Sequence, residues 1–131
     1  MVTRATLNVV DSSAWLAYFA DTPNAGKFAA AIEDERRLVT PAICLLEVFK
    51  LIARQRGESD ALQAVAVMQQ GRVVDLDATL ALRAASLGLE HKLPLADSIV
   101  YATARELGAI VWTQDSDFEG LRDVEYVPAP R

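Results

Sequence analysis

The sequence predicts an α/β fold: a three-layer sandwich whose mainly parallel sheet of about five strands is flanked by helices. Two patterns point to it. Short apolar runs suited to buried strands alternate with longer segments of helical periodicity along the whole chain. Proline and glycine stand at the expected starts and stops of those helical segments. No repeat, low-complexity tract or linker interrupts the alternation, so residues 1–131 are read as one domain.

In order, Thr6–Val10 (TLNVV) is the first strand. A short helix follows, with Trp15, Tyr18 and Phe19 on one face, and a second helix carries Phe28 and Ile32. Arg37–Thr40 is strand-like. Pro41 then opens a helix at a position that tolerates proline, and Gly57 stops it. A helix over Ser59–Gln70 leads to a third strand, Arg72–Leu76. The next helix, Ala78–Glu90, places Leu80, Ala84 and Leu87 at helical spacing. After the HKLP turn, Pro94 starts a helix that is apolar on most sides and should be buried, ending at Gly108. Ala109–Thr113 is a fourth strand and Val124–Val127 a weaker fifth; the PAPR tail is read as loose.

Composition narrows the function. The chain is 52% hydrophobic and 24% charged, as in globular domains. Cys44 is the single cysteine and His91 the single histidine, which excludes a disulfide framework and a Cys/His zinc site. A reducing, cytoplasmic setting follows. No segment reads as a signal peptide or membrane span. The net charge of −5 offers no general attraction to nucleic acid, so any such binding must rest on a local basic patch, on bound metal, or on both.

The acidic residues have a shared geometry. In an open parallel sheet, ligands sit beyond the carboxyl ends of the strands. Asp11 directly follows the first strand and Asp115 lies just past the fourth. Glu47 is in the second turn of a helix that begins at that edge, and Asp97 is in the first turn of a helix that runs back from it. Topology thus brings four carboxylates to one rim. The competing reading makes Asp11, Asp97 and Asp115 N-caps, and pairs Glu47 with Lys50 or Arg54 along its helix. Against it, Glu47 and Asp97 interrupt apolar stretches, where an unpaired charge is costly.

Clustered carboxylates repel unless a cation neutralises them. Oxygen ligands of this kind suit Mg²⁺ or Mn²⁺. Such a site can activate water and cut a phosphodiester without a side-chain nucleophile. Ser12, Ser13 and Ser98 lack a histidine base, since His91 lies in a turn and is read as a surface residue. A calcium loop starting at Asp115 is excluded because Tyr126 holds its twelfth position. A receiver-type phosphoacceptor domain lacks its late lysine, and a phosphatase Asp-x-Asp motif is broken by Ser13.

Four segments resemble the PIN-domain family, and within it the VapC-type toxins of bacterial toxin–antitoxin pairs: VVDSSAWLAYF around Asp11, TPAICLLEVFKL around Glu47, LPLADSIVYATARELGAIVWT around Asp97 and TQDSDF around Asp115. They occur in the family's order and cover nearly the whole chain. The resemblance implies a Mg²⁺- or Mn²⁺-dependent ribonuclease that forms a homodimer. It also implies a small antitoxin whose C-terminal segment lies across the active-site groove. Asp11 and Asp97 would then be the principal metal ligands, and Glu47 and Asp115 the remaining acidic members. Ser12, Thr113 and Asp117 match supporting positions. The rival reading is a PIN-like domain that only binds RNA or a protein.

Lys50 and Arg54 follow Glu47 on one face of its helix and are the expected RNA-phosphate contacts. Arg56 is close by, and Lys92 or Arg105 could add to the patch. Trp15, Tyr18 and Phe19 are read as core, with part of the set open to an antitoxin helix.

Overall fold

The computed structural model describes residues 6–130. Its elements run β1 (Asn8–Val10), α1 (Ser12–Phe19), α2 (Ala25–Glu33), β2 (Leu38–Pro41), α3 (Ala42–Arg56), α4 (Glu58–Met68), β3 (Arg72–Val74), α5 (Ala78–His91), α6 (Leu95–Leu107), β4 (Ile110–Thr113), a 3₁₀ turn (Ser116–Phe118) and β5 (Val124–Tyr126). The five strands form one sheet in the order β3-β2-β1-β4-β5. Every pairing is parallel. This is the predicted α/β class, with helices as the crossovers that parallel neighbours require.

Strand composition explains the order. β1 contributes Val9 and Val10, both fully buried, and β2 is buried along its whole length. These strands lie inside the sheet, whereas β3 and β5 are only half-buried or exposed and lie at its edges. Helix α6 packs on β1, β2 and β4, and buries every residue from Asp97 to Ala104. Trp15, Phe28, Met68, Tyr101 and Phe118 fill the largest core positions.

Several boundaries differ from the sequence reading. The first strand begins at Asn8 instead of Thr6, because Asn8 is where pairing to Leu38 and Ile110 starts. The third strand stops at Val74, short of Leu76: Asp77 caps α5 by accepting from the Leu80 N–H at 2.9 Å, which turns the chain away from the sheet. The fourth helix spans Glu58–Met68 instead of Ser59–Gln70, because Gly57, at φ 98°, breaks the chain immediately before it. The tail is not loose at Pro128, whose carbonyl accepts from Asn24 Nδ2 at 2.9 Å. His91, at the surface end of α5, is half-buried and lies at a right angle to the Tyr101 ring, with ring centroids 5.5 Å apart. Among the described residues, no helix is long and apolar enough to cross a membrane.

Candidate active site

The site grows from the pairing of β1 with β4. Val10 is in register with Trp112, so the next residues on the two strands, Asp11 and Thr113, stand side by side at the carboxyl edge. The Asp11 N–H donates to the Trp112 carbonyl at 3.0 Å, extending the ladder to that point. Beyond β1 on its other side lies β2, so the chain order reverses direction around β1. That is the topological switch at which open parallel sheets bind ligands.

Asp11 holds the N-cap position of α1, yet its side chain makes no capping hydrogen bond. Its Oδ2 instead accepts from Ser13 Oγ at 2.8 Å and from Thr113 Oγ1 at 2.9 Å. Asp97 is not a cap either: Pro94 holds that position of α6, and Asp97 sits inside the first turn. Only Asp115 keeps a capping role. Its Oδ1 accepts from the Asp117 N–H at 2.9 Å and closes the 3₁₀ turn. Fully buried Phe118 anchors that turn, which fixes where Asp115 and Asp117 emerge.

Asp97, Asp115 and Asp117 place one carboxylate oxygen each within 4.8 Å of one another. They grade from buried Asp97, through half-buried Asp115, to exposed Asp117. Asp117, expected only in support, therefore belongs to the tightest acidic group. Glu47 stands outside this group and is tied to α1 instead, where Ser12 Oγ donates to its Oε1 at 2.7 Å. Burial raises the Asp11 carboxyl pKa, against the lowering effect of the Ser13 and Thr113 hydrogen bonds. Burial, followed by the charges of Asp11 and Asp115, pushes Asp97 up to about 8. Three acidic side chains, one of them mostly protonated at neutral pH without an ion, form a donor set that a divalent cation would complete.

Of the remaining candidates, Lys50 and Arg54 are exposed, and among the described residues neither is in an ion pair. Arg105 does not join them. It pairs with Asp123 at 3.7 Å and lies over the Tyr101 ring, eight residues along α6 from Asp97, about 12 Å at the helical rise. Cys44 is fully buried beside Ser12, and burial pushes its thiol pKa up, so it is not a thiolate nucleophile. Sequence reasoning missed Ser13 as a contact of Asp11. Its one legible signal was a hydroxyl two residues beyond Asp11 at a helix start.

A family profile described as PIN domain matches residues 9–124. Among curated proteins, none matches this sequence significantly. Among solved structures, the chain is similar to VapC20 of Mycobacterium tuberculosis, described as a toxin that cleaves the sarcin–ricin loop. The TM-score is 0.75 and the identity 25%, covering 92% of this chain and 99% of that one. It is similar to a toxin–antitoxin complex from Klebsiella pneumoniae, with TM-score 0.75 and 22% identity over 90% of this chain and 95% of that one. It also resembles a DNA-bound VapBC from Salmonella typhimurium, with TM-score 0.70 and 15% identity over 95% and 98% of the two chains.

Proposed function

The chain belongs to the PIN-domain family, and on that premise we propose that it is a metal-dependent endoribonuclease acting as the toxin of a VapBC-type toxin–antitoxin pair. The observation that carries the reading is the convergence of Asp97, Asp115 and Asp117 beside buried Asp11 at the β1–β4 switch. The RNA assignment is supported by the likeness to a sarcin–ricin-loop-cleaving toxin at 25% identity.

Asp11, Asp97 and Asp115 are the proposed metal ligands, joined by Asp117, with Mg²⁺ or Mn²⁺ as the ion suited to an all-carboxylate set. Glu47 is the remaining acidic member of the catalytic set, oriented by Ser12. A bound divalent cation supplies an activated water and offsets charge on the phosphodiester. The protein's own part is to hold the carboxylates in place and keep Asp97 and Asp11 from bulk water. Lys50 and Arg54, on the α3 face that carries Glu47, supply the positive charge that the overall −5 lacks.

A groove of about 560 Å³ between α1, α3 and α4 is lined by Leu16, Phe19, Leu51, Ile52, Ala64 and Val67, among others. We assign it to an apolar segment of the antitoxin, by analogy with the partnered relatives. Trp15 is fully buried, so of the aromatic set it is Phe19 that reaches this groove. Leu82 and Leu89 are exposed and, seven residues apart, share one face of α5, which is assigned to a homodimer contact.

The experiment uses protein freed of antitoxin and incubated with RNA and Mg²⁺ or Mn²⁺, beside Asp11→Asn and Asp97→Asn. Cleavage by the wild type is expected, with each variant slower by about 100-fold or more and chelator abolishing the reaction. Equal behaviour of all three proteins, or indifference to chelator, would leave a PIN domain that only binds.

A further inference from the structure

We infer that Ser13 is a positioning residue which, together with Thr113, holds Oδ2 of Asp11 and so fixes the orientation of that carboxylate beside the proposed metal site. The inference rests on the proposed metal site and adds to it a residue outside the acidic set.

The hydrogen bonds form two parallel chains. The Gln114 N–H donates to Ser13 Oγ at 3.1 Å, and Ser13 Oγ donates to Asp11 Oδ2 at 2.8 Å. The Asp115 N–H donates to Thr113 Oγ1 at 2.9 Å, and Thr113 Oγ1 donates to the same Oδ2 at 2.9 Å. Each hydroxyl has a single proton, and a carboxylate is the stronger acceptor open to both, so each is assigned to Asp11. The 3.2 Å approach of the two hydroxyl oxygens is therefore a contact without a shared proton. A hydroxyl that accepts from an amide is a stronger donor, and a carboxylate is a strong acceptor.

Two consequences follow. Asp11 Oδ2 is filled by two donors and the Ser12 N–H adds a further hydrogen bond to the carboxyl, so the side chain is held in one rotamer. The backbone at residues 114 and 115 is also hung from Asp11. That backbone carries Asp115 and, through the 3₁₀ turn, Asp117. Ser13 reaches it from α1 across 101 residues of sequence. The hydroxyl therefore sets the spacing between Asp11 and the segment that carries Asp115 and Asp117. Without it, Gln114 loses its acceptor and Asp11 loses one of the two bonds that orient it.

The test is Mn²⁺ titration of RNA-free, antitoxin-free protein, with free Mn²⁺ read by electron paramagnetic resonance. Melting curves are recorded with and without the ion. Wild type, Ser13→Ala, Ser13→Thr, Thr113→Val and Asp11→Asn are compared. The expected result is about tenfold weaker Mn²⁺ binding for Ser13→Ala and Thr113→Val, a matching loss of Mn²⁺-induced stabilisation, and near-wild-type binding for Ser13→Thr. Wild-type Mn²⁺ affinity in Ser13→Ala overturns the inference, even if its metal-free melting temperature falls. A Ser13→Thr protein as weak as Ser13→Ala also overturns it, because the hydroxyl is then not what matters. If Asp11→Asn binds Mn²⁺ as the wild type does, the metal site itself is wrong and the inference goes with it.

Discussion

Asp97, on α6, and Asp115, on the loop after β4, bring carboxylate oxygens within 4.8 Å of each other although they come from separate elements. Burial, with Asp11 and Asp115 adding negative charge, pushes Asp97 up to about 8. Unfolded, Asp97 loses its proton near pH 4. Folded and metal-free, it keeps the proton until about pH 8. Between those values the native state binds the extra proton, so this residue makes stability fall as pH rises. Asp11, also raised by burial, acts in the same direction. Asp97→Asn should therefore melt higher than the wild type at pH 8 without metal, by on the order of 5 °C, and the gap should close toward pH 4. Mn²⁺ at pH 8 should stabilise the wild type and leave Asp97→Asn nearly unmoved. Thermal melts at several pH values, with and without the ion, decide it; a gap that does not change with pH would count against the assignment.

The acidic rim was legible because an open parallel sheet sends every strand-end residue to one edge. Asp11, Asp97 and Asp115 could be placed there from element order alone. What the order of elements does not contain is which strands are neighbours. The β1–β4 pairing sets Thr113 beside Asp11, and Ser13 gains Thr113 and Gln114 as partners only through that pairing. Asp117 was undervalued for a related reason. Its position depends on a 3₁₀ turn closed by Asp115 and anchored by Phe118, and three residues of turn have no readable period. Arg105 failed as a basic-patch candidate because a helix that begins at the rim ends about 12 Å or more away from it.

Gly71, just before β3, marks a tight approach at the sheet edge. A Cβ there would lie 2.6 Å from both the Leu38 carbonyl oxygen and Leu38 Cγ. The oxygen belongs to the backbone of β2 and cannot step aside without disturbing the β2–β3 ladder. Gly71→Ala should cost about 1–3 kcal/mol, seen as a lower urea midpoint. Gly26→Ala is the control, since a Cβ there meets nothing within 4 Å. Equal midpoints for the two variants would show that the edge is looser than the structure describes.

Lys50 and Arg54 are the sources of positive charge assigned to RNA. If each contacts a phosphate, Lys50→Glu with Arg54→Glu should weaken RNA binding and make the salt dependence shallower. For two contacts to a single strand, the slope of log affinity against log salt should change by about 1.4. Binding of the double variant and wild type across a salt series measures this directly. An unchanged slope would mean that the two side chains are only solvated surface charges.

The groove between α1, α3 and α4 can be separated from catalysis. Leu51 lines it, one helical turn from Glu47, and takes no part in the acidic cluster. A charge placed there would have to be desolvated by any apolar segment that docks. Leu51→Asp, coexpressed with the proposed antitoxin, should lose that partner by at least about tenfold in affinity, while the purified variant cleaves RNA as the wild type does. Copurification and a cleavage assay on the same preparation give both readouts. Retention of the partner would move the docking site elsewhere on the chain, whereas loss of cleavage together with the partner would mean that the groove and the acidic rim are one continuous surface.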